Sequence, residues 1–205
     1  SSLIVLKSTI HPGNINEIEK MIPDFVYNPE FLREKHADDD FLNSDLIVFG
    51  GKSNSIEIIS NFYLLHTRCV NSNYVKTDLH AASLIKYSIN SFLATKTVFF
   101  NEMHDLFLKT ETNEKWENFI KFLSMDKRIG DSHMMVPGHD GRYGFGGACL
   151  PKDSAAIIKY AESLGINLET IKSVVKTNNK IRAKYNSKTN REDEQNIKYN
   201  TFNEE

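Results

Sequence analysis

The sequence predicts an α/β fragment, the late strands of a Rossmann-like parallel sheet, followed by an all-α region built on one long helix. Three observations carry this. Short apolar runs alternate with segments of helical spacing over residues 1–78, the pattern of an α/β sheet. Beyond Asp78 no glycine or proline interrupts roughly thirty residues of helical periodicity. The helices that close the chain, up to Tyr185, have no strand-like run between them. The expected division is therefore 1–78 for the sheet, 79–185 for the helical domain and 186–205 for a polar tail.

Leu3-Ile-Val-Leu6 is short and continuously apolar, as are strands buried in parallel sheets. Lys7-Ser8-Thr9 then falls at its carboxyl end, where open α/β sheets bind ligands. His11-Pro-Gly13 makes a turn, and Ile15, Ile18 and Ile22 have the spacing of a short helix. Phe25–Tyr27 is a second strand ending at Asn28-Pro29, and Leu46–Phe49 a third closed by Gly50-Gly51. A helix from about Ser55 to Leu65 and a fourth strand, Asn73–Lys76, complete this part.

Asp78 is placed to cap the long helix. Ala82, Ile85, Ile89, Phe92, Lys96, Phe99 and Met103 follow its spacing, with Leu93, Phe100 and Phe107 alongside. At 1.5 Å per residue it is a rod of roughly 45 Å, apolar on several sides, and so needs partners on several sides. Lys86 and Asn90 are four apart and share a face. A further helix over Trp116–Leu123 precedes a long loop, 131–147, of a length that is often functional. Helices follow over Ser154–Leu164 and Leu168–Tyr185. From Asn186 the composition predicts a frayed or disordered tail.

The 205 residues suffice for one sizeable domain or two small ones, and the 40% apolar and 25% charged content is that of a soluble globular protein. A formal charge of −2 gives no polybasic field to recommend nucleic acid or an anionic membrane. Cys69 and Cys149 make no disulfide framework, so a reducing cytoplasm is expected. No apolar run nears the ~20 residues that span a bilayer, and the start has no signal-peptide character. It lacks an initiator Met and enters a strand at once, as expected of a chain cut from something longer or carrying a cloning scar. The seven histidines are scattered, and His133 with His139 lacks a matching pair of ligands, so no metal site is expected.

Chemistry concentrates in Tyr143–Asp153, which holds three glycines, Cys149, Pro151, Lys152 and Asp153. Glycines let the backbone approach a ligand, and Pro151 suits the first turn of the helix that follows. A thiol just ahead of that helix, beside Lys152, meets the positive end of the dipole and a cation, which favour its thiolate. Two readings stand on this stretch: an activated nucleophile, or a small apolar residue buried behind a glycine turn. A Cys–His hydrolase with His133 or His139 as base is a further possibility for the thiol.

Gly144-Phe-Gly-Gly-Ala-Cys-Leu-Pro-Lys-Asp153 resembles the nucleophile loop of the UDP-glucose/GDP-mannose dehydrogenase family. Lys7-Ser-Thr9, Asn28-Pro-Glu-Phe-Leu-Arg-Glu34 and Leu84-Ile-Lys86-Tyr-Ser-Ile-Asn90-Ser-Phe-Leu resemble that family too, in its order, over roughly residues 3 to 180. The resemblance implies an NAD-dependent enzyme that oxidises the 6-hydroxymethyl of a nucleotide-linked hexose twice, to a carboxylate. Cys149 aligns with the nucleophile that carries a thiohemiacetal and then a thioester. Lys86 and Asn90 match the pair that stabilises charge on the C6 oxygen, and Glu30 the proposed base for water. Thr9 and Asp153 match a pair that positions a water. Phe31, Leu32 and Arg33 are implied substrate contacts, Glu34 lies near substrate and nicotinamide, and Gly146 lets the sugar lie close to the loop. Thr9, Glu34 and Lys152 are the implied cofactor contacts. The long helix, near 79–108, resembles the family's homodimer core.

The sequence departs from the family in having no Gly-x-Gly-x-x-Gly turn after a strand and no nucleotide-gripping domain after Tyr185. Unaided turnover and NAD binding by this chain are therefore expected to be weak. Two classes stay open: the central part of a nucleotide-sugar dehydrogenase, of UDP-glucose type with GDP-mannose as the alternative, or a non-catalytic remnant or dimerisation module.

Overall fold

A computed structural model describes residues 2–32, 37–69 and 73–199. The chain divides into two compact units, residues 1–88 and 89–205, ten residues later than the change of sequence character at Asp78 suggests. One helix runs through the division, so its first turns belong to the sheet's unit.

In the first unit four strands, β1 (Ile4–Leu6), β2 (Phe25–Tyr27), β3 (Leu46–Gly50) and β4 (Asn73–Thr77), form a sheet in that order. β1 runs parallel to β2 and β3 parallel to β4, in the registers Val5↔Val26 and Val48↔Val75. β2 and β3 meet antiparallel at Tyr27↔Gly50, so the sheet is mostly parallel with one reversed junction. Apolar runs do not signal this reversal, because the connection over 28–45 is long enough for either sense. A short helix within it, α2 (Ala37–Leu42), also escapes the sequence reading. Its acidic ADDDFL composition has no helical apolar stripe.

Successive side chains of a strand point to opposite faces, and both faces of this sheet are covered. Phe25, Tyr27 and Val48 bury one face with Ile10, Ile15, Leu79 and Ala82. These come from the entry to α1 (Ile15–Met21) and the start of α4 (Leu79–Lys109). Val26, Ile47 and Phe49 bury the other face with Ile56, Ile59 and Tyr63 of α3 (Ser53–His66), and with Cys69. β1 departs from the expected fully buried strand: it ends the strand order among the described residues, and Ile4 is exposed. Asp78 caps α4 as predicted, its Oδ1 accepting from the Ala81 N–H at 2.8 Å.

In the second unit α4 continues beside α5 (Trp116–Ser124), α6 (Cys149–Ser163) and α7 (Glu169–Arg182). Trp116 sits among Phe100, Met134 and Val136, with Phe107 and Phe119 against it. Ala94 and Val98 pack with Phe145 and Val174. The expected disordered tail is corrected over its described part. A short helix, α8 (Asn190–Glu194), forms behind a capping box in which Thr189 and Glu192 satisfy each other's backbone N–H groups. Glu192 and Ile197 are buried. The Thr-x-x-Glu spacing was there to be read, but the Lys/Asn/Glu-rich composition around it outweighed it.

Candidate active site

The first unit collects Glu30, Phe31, Lys86 and Thr9. Asn28 and Pro29 are buried just after β2, Glu30 is exposed, and Phe31 and Leu32 are half-buried. Lys86, only 8% exposed on α4, reaches this segment. Its Nζ donates to the Glu30 carbonyl oxygen at 2.6 Å and lies 5.1 Å from the centre of the Phe31 ring. Lys86 therefore does not lie on a solvated helix face. Thr9 is half-buried just beyond β1, next to Ile10, whose N–H donates to the Tyr27 hydroxyl and whose carbonyl accepts from Ser83. Arg33 and Glu34 lie outside the described residues.

Lys7 belongs to the same cluster, and no role was assigned to it from the sequence. Its Nζ lies 3.2 Å from Asn28 Oδ1, 3.1 Å from the Tyr63 hydroxyl and 3.1 Å from Glu30 Oε1. Burial alone would lower its pKa, but the bonds to Tyr63 and Glu30 outweigh burial and raise it above the ordinary lysine value. The signal available was its place at the carboxyl end of a strand; Tyr63, 56 residues away, carries none.

The second unit collects Asn90, Asp153, Lys152, Cys149 and Gly146. Asn90 is 6% and Asp153 1% exposed, and Asn90 Nδ2 donates to Asp153 Oδ2 at 2.6 Å. The other carboxylate oxygen, Oδ1, is 3.2 Å from Lys152 Nζ without the alignment of a hydrogen bond. It therefore keeps its capacity to accept one. Thr9 and Asp153, paired by the resemblance, fall in different units.

Cys149 is the first residue of α6 and exposed. Two expectations are corrected here. The thiol lies in the first turn rather than ahead of it, with Pro151 third in the helix, because proline is tolerated wherever in that turn the N–H has no intrahelical acceptor. And Cys149 is not the small buried residue of the plain reading; Cys69 is, with its Sγ 3.2 Å from the Phe41 carbonyl. Timed alkylation followed by mass spectrometry is expected to label Cys149 at least about tenfold faster than Cys69, since access limits the buried thiol. Equal rates would count against an available nucleophile.

The loop before Cys149 is fixed by side chains that the sequence reading did not select. Gly144 has φ +75 and donates its N–H to Asn101 Oδ1 at 2.8 Å. Asn178 clamps Phe145 through both backbone groups, accepting from its N–H at 2.7 Å and donating to its carbonyl at 3.0 Å. At Gly146 a Cβ would run into the Arg182 guanidinium and Glu192 Oε1. The close approach that glycine permits is taken by this buried ion pair. Arg182 also binds Asp140 at 2.8 Å.

Among the described residues no group of three His, Cys, Asp or Glu could hold a metal, and no helix is long and apolar enough to cross a membrane. The UDP-glucose/GDP-mannose dehydrogenase family's NAD binding domain matches residues 1–66, and the same family's central domain matches residues 80–180. The chain belongs to this family. UDP-glucose 6-dehydrogenase of Rickettsia conorii is 38% identical over 182 residues, covering 86% of this chain and 40% of the relative. The solved UDP-glucose dehydrogenase of Pyrobaculum islandicum is 31% identical with a TM-score of 0.70, over 86% of this chain and 40% of that one. GDP-mannose dehydrogenase of Pseudomonas aeruginosa is 25% identical with a TM-score of 0.53, over 89% and 43%. The chain thus spans about 40% of the length of the family members it matches.

Proposed function

We propose that this chain carries the catalytic residues of an NAD-dependent nucleotide-sugar 6-dehydrogenase of the UDP-glucose to UDP-glucuronate type. The observation that supports it best is an exposed thiol opening α6, four residues before a buried carboxylate bound to Asn90. The family relation supports a nucleotide-sugar oxidation, and the steps proposed for it are these. Oxidation of the C6 alcohol gives an aldehyde, and Cys149 Sγ bonds to its carbon to form a thiohemiacetal. Lys86 and Asn90 donate to the C6 oxygen as its charge develops; both are held by helix packing, so little reorganisation is needed. A second oxidation leaves a thioester on Cys149. Glu30 takes a proton from water, the water oxygen bonds to the carbonyl carbon, and the C–S bond breaks to release carboxylate and thiol. Thr9 and Asp153 orient water; Asp153 Oδ1, paired with the Lys152 ammonium but accepting no hydrogen bond, suits this.

Thr9, Glu34 and Lys152 are the residues that would hold NAD, which when bound supplies the oxidising equivalents. Lys152 suits a dinucleotide phosphate: its side chain is about half exposed near the start of α6, with its ammonium 3.2 Å from Asp153 Oδ1. Phe31, Leu32 and Arg33 would contact the sugar nucleotide. The test is made on the protein at natural length with NAD and UDP-glucose. NADH is expected at two per sugar oxidised, with UDP-glucuronate as product. Absence of NADH, or one per sugar, overturns the reading, and a GDP-mannose arm decides the nucleotide.

The proposal extends to a homodimer through α4. Phe92, Phe99 and Leu106 stand exposed at seven-residue spacing along one face of this helix in the second unit. A two-fold contact would cover them. Light scattering is expected to give twice 23.5 kDa at micromolar concentration, falling to a monomer in Phe92→Lys/Phe99→Lys. A monomeric parent removes the idea.

A further inference from the structure

We infer that Lys7 is a positioning residue for Glu30, the carboxylate that the proposed reaction uses to activate water; the inference rests on that reading for its consequence and on geometry for its content. Glu30 sits on the irregular segment after β2, and such a segment alone leaves a glutamate free among several rotamers. Here the residue is held at two points by two lysines: Lys86 takes its backbone carbonyl at 2.6 Å and Lys7 its carboxylate at 3.1 Å.

The Lys7 end is itself immobilised. An ammonium has three donors, and three oxygens surround this one: Asn28 Oδ1, the Tyr63 hydroxyl and Glu30 Oε1. Two of the three are fixed to the scaffold. Asn28 Nδ2 donates to the Val48 carbonyl in β3 at 2.9 Å, which sets which side of its amide faces Lys7. The Tyr63 hydroxyl accepts from Lys7 and donates to Asn28 Oδ1 at 2.7 Å, so it too has one orientation. The Phe41 ring lies 5.0 Å from the ammonium and closes a further side. Strand ends and α3 therefore define where the charge sits, and the charge defines where the Glu30 carboxylate points. The Glu30 side chain nevertheless stays 42% exposed, open to water. A surface ion pair by itself would be worth little; one partner held by a rigid tripod is the case in which geometry, rather than attraction, is the contribution.

The test uses the 205-residue chain with 13C-labelled glutamate carboxyls, the Glu30 signal being identified by its loss in Glu30→Gln. In Lys7→Met it is expected to move to the position of free glutamates, and in Lys7→Arg to stay near its original place. In the unaltered chain a nuclear Overhauser contact between the Lys7 ε and Glu30 γ protons is expected, which needs no variant to fold. A Glu30 signal unmoved in folded Lys7→Met, or no Overhauser contact in the parent, overturns the inference. Kinetics at natural length then judge the reading separately. Lys7→Met is expected to keep the first-turnover NADH burst and the KM for UDP-glucose but lose at least about tenfold in steady turnover. Unchanged turnover in Glu30→Gln would sink the role of Glu30 while leaving the Lys7 contact standing.

Discussion

Replacing Cys149 with serine is expected to lower steady NADH formation from UDP-glucose by at least about a thousandfold, since removal of a covalent nucleophile is among the largest single-residue losses known. The side chain is exposed, so the exchange of sulfur for oxygen disturbs no packing. Serine is also at home at a helix start. Stability should stay within about 0.5 kcal/mol of the parent, as for exposed substitutions elsewhere. The loss is then chemical. An alkoxide is far less accessible than a thiolate near neutral pH, and an ester on oxygen could not be reached at a useful rate. Turnover within tenfold of the parent would show that the thiol carries no covalent step.

The second large effect is on folding. Glu192→Gln is expected to destabilise the second unit by roughly 3 kcal/mol at neutral pH, in line with the cost of breaking a buried pair. Glu192 is fully buried and accepts from Arg182, from the Tyr199 hydroxyl at 2.5 Å and from the Thr189 N–H at 2.7 Å. Burial pushes its carboxyl up, but the bonds from Tyr199, Thr189 and Arg182 outweigh burial and hold it at about 2. Since the folded value lies below the unfolded one, the stabilisation is present above pH ~4.5 and is lost as pH falls toward 2. Urea titrations by circular dichroism should therefore show parent and variant far apart at pH 7, drawing together below pH ~4.5 and converging toward pH 2. Equal midpoints at pH 7 would mean that Arg182, still paired with Asp140, does not need Glu192.

What was legible follows from distance along the chain. The Asp78 cap acts three residues away, and the alternation of both sheet faces is set within each strand, so both could be read. Cys149, Lys86 and Asn90 stand out because their neighbours form motifs. The Lys7–Tyr63 bond joins positions 56 apart and Asn178 reaches Phe145 across 33, with nothing local to announce either. Gly146 is a case of the same kind. A glycine declares that something approaches closely but not what, and on its Cβ side it is Arg182 of α7. The antiparallel junction of β2 and β3 rests on one residue pair, too little to leave a pattern.

Trp116, the chain's single tryptophan, lies in the second unit, 5% exposed, with its indole N–H accepting partner absent among the described residues. The protein therefore contains a natural fluorophore confined to one half of the molecule. Its emission should be that of a dry, apolar site and should shift to the red only when the helical unit opens. Far-ultraviolet dichroism, by contrast, sums over both halves. If the two units melt separately, the optical curves will part company, and the order of the two transitions can be assigned without a label or a substitution.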